Sequence, residues 1–313
     1  MKKVYGVAVV MIVGLTMLGG CAAKTEKKVF TTLPVEELGF STELLEVDMT
    51  GVEEEYHFLY VSDLHIITET GAVAPEQTEE VLQRIENYRQ PSGESSAEVW
   101  LRLANKLDEC NADAILLGGD LVDFACEENV ECLKEGLRMI ETPVIYVGAD
   151  HDFRPYYCDG VAEEDIPLYY QEFAGMEETP ELEMEEFSIV GFNNSTSQMT
   201  ESALKKLEEV IEKEKPIMLL SHVPFLPQED ESLAELSKQV KGDRVLLWGE
   251  ECYYRPKGAT EELLDILYQE NSPIQQVVSG HLHHTWDGML TEGTGQHVFA
   301  HAASGNVGII VVK

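Results

Sequence analysis

Tyr56-His57-Phe58-Leu59-Tyr60-Val61-Ser62-Asp63-Leu64-His65 is the stretch that decides the fold. Its first half is apolar at nearly every position. A strand buried on both faces shows this pattern, whereas a half-exposed one alternates. The run then breaks into a polar end in which Asp63 and His65 stand one residue apart. In an extended segment alternate side chains share a side, so the pair can aim at one point.

The same pattern recurs along the chain. Ala114-Ile115-Leu116-Leu117 ends at Gly118-Gly119-Asp120, and Val144-Ile145-Tyr146-Val147 at Gly148-Ala149-Asp150-His151-Asp152. Ile217-Met218-Leu219-Leu220 ends at Ser221-His222, and Ile274-Gln275-Gln276-Val277-Val278 at Ser279-Gly280-His281-Leu282-His283. Helical periodicity fills the spaces, over 76–88, 97–110, 127–140, 201–213 and 261–269, with Thr200 as a cap. Further strands are expected over 44–47 and 188–192, and closing strands over 297–312. An acidic connector around Glu177, Glu178, Glu181, Glu183, Glu185 and Glu186 has the composition of a solvated face or hairpin. Strands alternating with helices give an α/β class, in which ligand sites lie beyond the carboxyl ends of strands. No compositional break divides residues 41–313, so one domain is expected.

The 313 residues carry 22 Lys and Arg against 58 Asp and Glu, a formal net charge of −36. That balance excludes a binder of duplex nucleic acid, which needs cations to displace counterions. It also excludes docking on anionic lipid by charge. Residues 1–20 differ from the rest. Lys2 and Lys3 precede an apolar run from Val4 to Leu18, too short to span a bilayer, and then Gly19, Gly20 and Cys21. Leu18-Gly19-Gly20-Cys21 resembles a bacterial lipobox, which implies export, cleavage before Cys21 and a lipid anchor on that cysteine at the outer face of the membrane. Residues 21–40 are then a polar tether. Cys110, Cys126, Cys132, Cys158 and Cys252 form no C-x-x-C pair and are expected as small buried hydrophobes.

The polar residues at the strand ends are Asp63, His65, Asp120, Asp150, His151, His222, His281 and His283. Five of the chain's nine histidines fall among them. Imidazole nitrogen with carboxylate oxygen is a donor set for zinc, iron or manganese. One tetrahedral ion takes about four ligands, so eight candidates suffice for two ions.

Taken together, D-x-H, G-D-x-x-D, G-x-x-H-D, an isolated His and G-H-x-H resemble the calcineurin-like metallophosphoesterase superfamily over residues 41–313. The resemblance implies a four-layer sandwich of two mixed β-sheets flanked by helices, with a dinuclear metal site at strand ends. By the same resemblance Asp63, His65 and His283 would hold one ion, Asp150, His222 and His281 the other, and Asp120 would bridge. His151 would face a small-molecule phosphate mono- or diester as general acid, with Asp152 orienting it. A hydroxide shared by the two ions would attack phosphorus. Asp123 is either a support for the centre or a turn residue.

One residue departs from the pattern: Asp150 stands where the family has Asn. Two divalent ions, two aspartates and a hydroxide leave one positive charge, and a third aspartate leaves none. A ferric ion, a less charged substrate such as a diester, or weak catalysis would each accommodate the change. The rival reading is a binding lipoprotein of the same fold with little or no catalysis. Arg154, His284, Asn193-Asn194-Ser195 and the aromatics Trp248, Tyr253 and Tyr254 are nearby candidates for contact with substrate or for ordinary surface and core positions.

Overall fold

The computed structural model describes residues 29–68, 77–90, 92–154, 179–192 and 198–313. The expected signal segment, Cys21, Cys158, Glu177, Glu178 and Asn193-Asn194-Ser195 lie outside them.

In chain order the elements are α1 (Leu33–Glu36), β1 (Ser41–Val47), β2 (Tyr56–Val61), α2 (Thr78–Asn87), α3 (Ser96–Leu107), β3 (Ala114–Leu117), α4 (Glu127–Leu137), β4 (Val144–Tyr146) and α5 (Asp150–Phe153). There follow β5 (Glu181–Glu183), β6 (Ser188–Phe192), α6 (Glu201–Ile211), β7 (Ile217–Ser221), α7 (Ser232–Val240), α8 (Ala259–Tyr268), β8 (Ile274–Ser279), β9 (Trp286–Met289), β10 (Gly295–Val298) and β11 (Asn306–Val312). One sheet has the order β1-β11-β2-β3-β4, the other β5-β6-β7-β8-β10-β9. Both are mixed. β2, β3 and β4 run parallel, as do β6, β7 and β8.

The continuous apolar character of the strands follows from four layers. On β2, Leu59 and Val61 pack with Val99, Trp100 and Leu103 of α3. Phe58 and Tyr60 point the other way, into a core shared with Phe187, Met218, Leu220 and Phe299. On the second sheet Val190, Leu219 and Val277 meet Leu204, Leu207, Leu263 and Leu267 of α6 and α8. Each central strand is thus covered on both faces, as the apolar runs predict. α3 starts at a capping box: Ser95 Oγ accepts from the Glu98 N–H and Glu98 Oε2 accepts from the Ser95 N–H. Thr200 caps α6 as expected.

One boundary moves. Residues 30–40 are not tether: α1 buries Val35 fully, Phe40 is buried beside it, and Phe30 stacks on His57 with ring centroids 4.5 Å apart. Here scattered apolar residues find a core that the polar composition of the segment conceals. The acidic connector ends in a hairpin, since β5 pairs antiparallel with β6, and Lys213 and Lys215 neutralise Glu181 and Glu183. No described helix is long and apolar enough to cross a membrane.

Candidate metal centre

The carboxyl ends of β2, β3 and β4 meet those of β7 and β8 along one edge of the sandwich. The loops leaving them bring the candidate residues together. Asp63, His65 and His283 form one cluster of converging donor atoms, and Asp120, His222 and His281 a second. In the first, His283 Nε2 lies 3.3 Å from Asp63 Oδ1 and 3.3 Å from His65 Nε2. In the second, His222 Nε2 lies 3.1 Å from Asp120 Oδ2 and 3.3 Å from His281 Nδ1. Asp63 Oδ1 is also 3.9 Å from His222 Nε2, so the clusters adjoin.

The backbone is bent to achieve this. Asp63, His65, Asp120, His281 and His283 all have positive φ, five of the eight non-glycine residues that do so among the described residues. Such conformations cost on the order of 1–3 kcal/mol each and persist where the surroundings enforce them. The neighbouring glycines belong to the same geometry. A Cβ on Gly119 would meet His222 and Ala149, and one on Gly280 would meet the Asp63 carboxylate.

The far nitrogens of the imidazoles are held. His65 Nδ1 is 2.9 Å from Asp123 Oδ1, and His222 Nδ1 is 2.8 Å from the Gly118 carbonyl. Each ring therefore presents Nε2 inwards, the arrangement expected of a metal-binding histidine. Asp123 is itself clamped by the Arg84 guanidinium, so it supports the centre as well as turning the chain. Several atoms of the site residues have no hydrogen-bond partner although buried: Asp120 Oδ1, Asp150 Oδ1 and His281 Nε2. Buried polar atoms are seldom left so, and cations would satisfy the carboxylates.

The buried charges of the two clusters act strongly on one another. Burial disfavours charge on His222, yet Asp120 and Asp63 outweigh it and push its pKa up to about 10. Burial, reinforced by the nearby His222, drives His281 well down. Burial opposes ionisation of Asp120, but His222 and His151 hold it well below the usual carboxylate range.

Asp150 and His151 open α5. Asp150 lines the same cavity as the second cluster but stands outside both groups, with Oδ2 3.9 Å from Arg154. His151 also lines the cavity, and its Nδ1 lies 2.5 Å from the Asp123 carbonyl. Asp152 does something other than orient His151. It is fully buried, and its carboxylate accepts four backbone N–H bonds of 2.8–3.1 Å, from Asp120, Leu121, Val122 and Ala149. It ties the loop after β3 to the loop after β4, and so fixes the backbone that carries Asp120. The carbonyl of Asp123 takes the place at His151 Nδ1 that Asp152 was expected to fill.

The cavity holds about 310 Å³. Its walls include Arg84, Tyr88, Lys241, Arg244 and Tyr254, none of which the strand-end motifs single out as site residues. Tyr88 stacks on His65 with centroids 4.3 Å apart, and Tyr254 meets His281 edge-on at 5.7 Å. Trp248 is core, Tyr253 is exposed, and His284 is a surface residue.

The chain matches the family model described as calcineurin-like phosphoesterase over residues 56–285. The chain belongs to the calcineurin-like phosphoesterase family. It is accordingly a metal-dependent hydrolase acting on phosphoester bonds. No curated protein matches it significantly. Among solved structures it is similar to a dimetal phosphatase from Danio rerio, at 12% identity and a TM-score of 0.50, with 80% of this chain and 88% of that one covered. It is also similar to the protein TT1561 of Thermus thermophilus, at 13% identity and a TM-score of 0.40, covering 80% and 91%. At these identities the likeness to the Danio rerio structure is one of fold. The phosphoesterase thus has the expected two mixed sheets flanked by helices, with its acidic and imidazole donors gathered at one edge.

Proposed function

We propose that this phosphoesterase hydrolyses a small phosphate mono- or diester at a centre of two ions, with His151 as the general acid. The observation that carries the reading is the pair of adjoining donor clusters with buried, unpartnered oxygen and nitrogen atoms. Asp63, His65 and His283 would hold one ion; His222 and His281, with Asp150 beside them, the other. Asp120 contributes Oδ2 to the second cluster and keeps Oδ1 free, as a carboxylate shared by two ions needs. Nitrogen and oxygen donors suit manganese, iron or zinc. Two such ions supply Lewis acidity that neutralises phosphate oxygens and acidifies water.

The chain's own groups do the rest. His151 keeps its Nδ1 on the Asp123 carbonyl, which leaves Nε2 for the leaving oxygen. Burial works against its charge, but Asp120 and Asp123 more than offset this and raise its pKa. An imidazolium there protonates the departing alkoxide, an effect of about 10²–10⁴ in rate. Asp152 holds the Asp120 loop in place by accepting three of its amides, with Ala149 N–H as the fourth donor.

The test compares wild type, Asp120→Ala and His151→Ala for metal content and hydrolysis of a mono- and a diester. Asp120→Ala is expected to lose metal and activity together. His151→Ala is expected to keep metal and to slow most on esters with poor leaving groups. Equal, metal-independent rates in all three overturn the proposal. Export and lipid attachment at Cys21 on the outer face of a bacterial membrane form a further part of it, supported by the sequence of residues 1–21. Palmitate labelling of wild type but not of Cys21→Ala is expected; an unlabelled wild type refutes it.

A further inference from the structure

Two cations face the cavity without an anionic partner among the described residues. Lys241 and Arg244 line it together with Asp120, Asp150, His222 and His281, and neither makes an ion pair with a described carboxylate. In a chain where acids outnumber Lys and Arg 58 to 22, that is unexpected. Lys241 is half-buried and Arg244 exposed. Burial draws the Lys241 pKa down, while Asp63 and Asp120 act to hold it up.

The turn that carries the two residues is built, not slack. Lys241 closes α7 by donating its N–H to the Ser237 carbonyl. Gly242 and Asp243 then take positive φ. Ser237, fully buried, donates its hydroxyl to the Arg244 carbonyl at 2.9 Å and accepts from the Leu246 N–H at 2.8 Å. The Arg244 guanidinium is bonded to the Lys241 carbonyl and rests 6.0 Å from the Tyr253 ring, which turns it towards the rim. Lys241 is the deeper of the two.

A second fact gives this position meaning. On the two-ion reading, an ionised Asp150 would add a negative charge where a neutral side chain would leave one positive charge in excess. Arg154 pairs with Asp150 at 3.9 Å but is not among the cavity-lining residues. Both side chains are partly buried, and at 3.9 Å the Arg154 guanidinium offsets part of the Asp150 charge. Lys241 lines the same cavity as Asp150 and is a second cation on that side of the centre.

We propose that Lys241 is a phosphate-binding residue of this centre, offsetting the charge of Asp150 and making the site suited to a phosphomonoester dianion. The inference rests on the reading of the cavity as a phosphoesterase centre and extends it to the substrate's charge. A monoester presents one more anionic oxygen than a diester, and the Lys241 ammonium gives that oxygen a donor. An ammonium–phosphate bond of this kind is charge-assisted and strong for its length.

The experiment uses the full-length, metal-loaded chain as wild type, Lys241→Met and Lys241→Arg, and the first two again in an Asp150→Asn background. It measures ions per chain, competitive inhibition by inorganic phosphate, and KM and kcat on a monoester and a diester. Lys241→Met is expected to weaken phosphate inhibition and raise the monoester KM by about tenfold or more, with metal content unchanged. The diester KM should move less. Lys241→Arg should restore most of the phosphate affinity, which a merely structural role would not predict. In the Asp150→Asn background the cost of Lys241→Met should shrink. An active wild type whose phosphate inhibition and KM survive Lys241→Met overturns this inference and leaves the phosphoesterase reading standing. A wild type without metal-dependent hydrolysis overturns both.

Discussion

Gly280 shows how little room the centre leaves at the level of single residues. Its missing Cβ is the space that the Asp63 carboxylate occupies, and the Asp63 oxygens accept from the His281 N–H at 3.1–3.2 Å. Gly280→Ala is therefore expected to displace Asp63 and lower metal content per chain, while the far-ultraviolet spectrum stays that of wild type. Full metal loading of Gly280→Ala contradicts this. Loaded with divalent metal, Asp150→Asn is expected to raise turnover of a phosphomonoester, because the centre regains one positive charge; no gain, or a loss, sinks the charge argument. His65, Asp120 and His283 were legible from the sequence because each follows an apolar run in a short motif. Lys241 and Arg244 were not. They reach the cavity only through α7 and the turn stapled by Ser237, and no local pattern announces that this turn meets the strand-end loops.

Elements were legible in proportion to how completely they are buried. β2, β3, β7 and β8 are covered on both faces and announce themselves as apolar runs. α7 did not: Leu233 and Ser237 are its buried residues, too few for a periodic signal. β9 is a four-residue edge strand containing a glycine, and its pairing with β10 decides it, not its own sequence. The place of β11, between β1 and β2, is likewise set by long-range pairing. The contact of α3 with α4 gives this scale its prediction. A Cβ on Gly136 would collide with the Trp100 indole, which is fully buried and bonded through Nε1 to the Leu133 carbonyl at 3.1 Å. Alanine gains roughly 1 kcal/mol of helix propensity over glycine, but overpacking a rigid core costs about 1–3 kcal/mol. Gly136→Ala is expected to be destabilising in a denaturant titration; a midpoint at or above that of wild type contradicts the packing.

For the whole molecule the governing quantity is the net charge of −36. The fold concentrates part of that excess at one buried edge, where Asp63, Asp120 and Asp123 are almost inaccessible to water. Such a cluster is a cost to the empty fold and a source of stability to the loaded one. Metal that binds only the native state stabilises it by mass action, about 2.7 kcal/mol at a hundredfold excess over Kd. Chelation is accordingly expected to lower Tm by several degrees, and re-addition of metal to restore it. An unchanged Tm means that the clustered carboxylates are satisfied without an ion. The measurement that bears most directly on the central claim is a metal titration of the apo chain, scored for ions bound and for phosphoester hydrolysis in the same samples. Two ions per chain, with activity appearing as the sites fill and neither seen in Asp120→Ala, is the predicted result. Hydrolysis at full rate with no ion bound would contradict it.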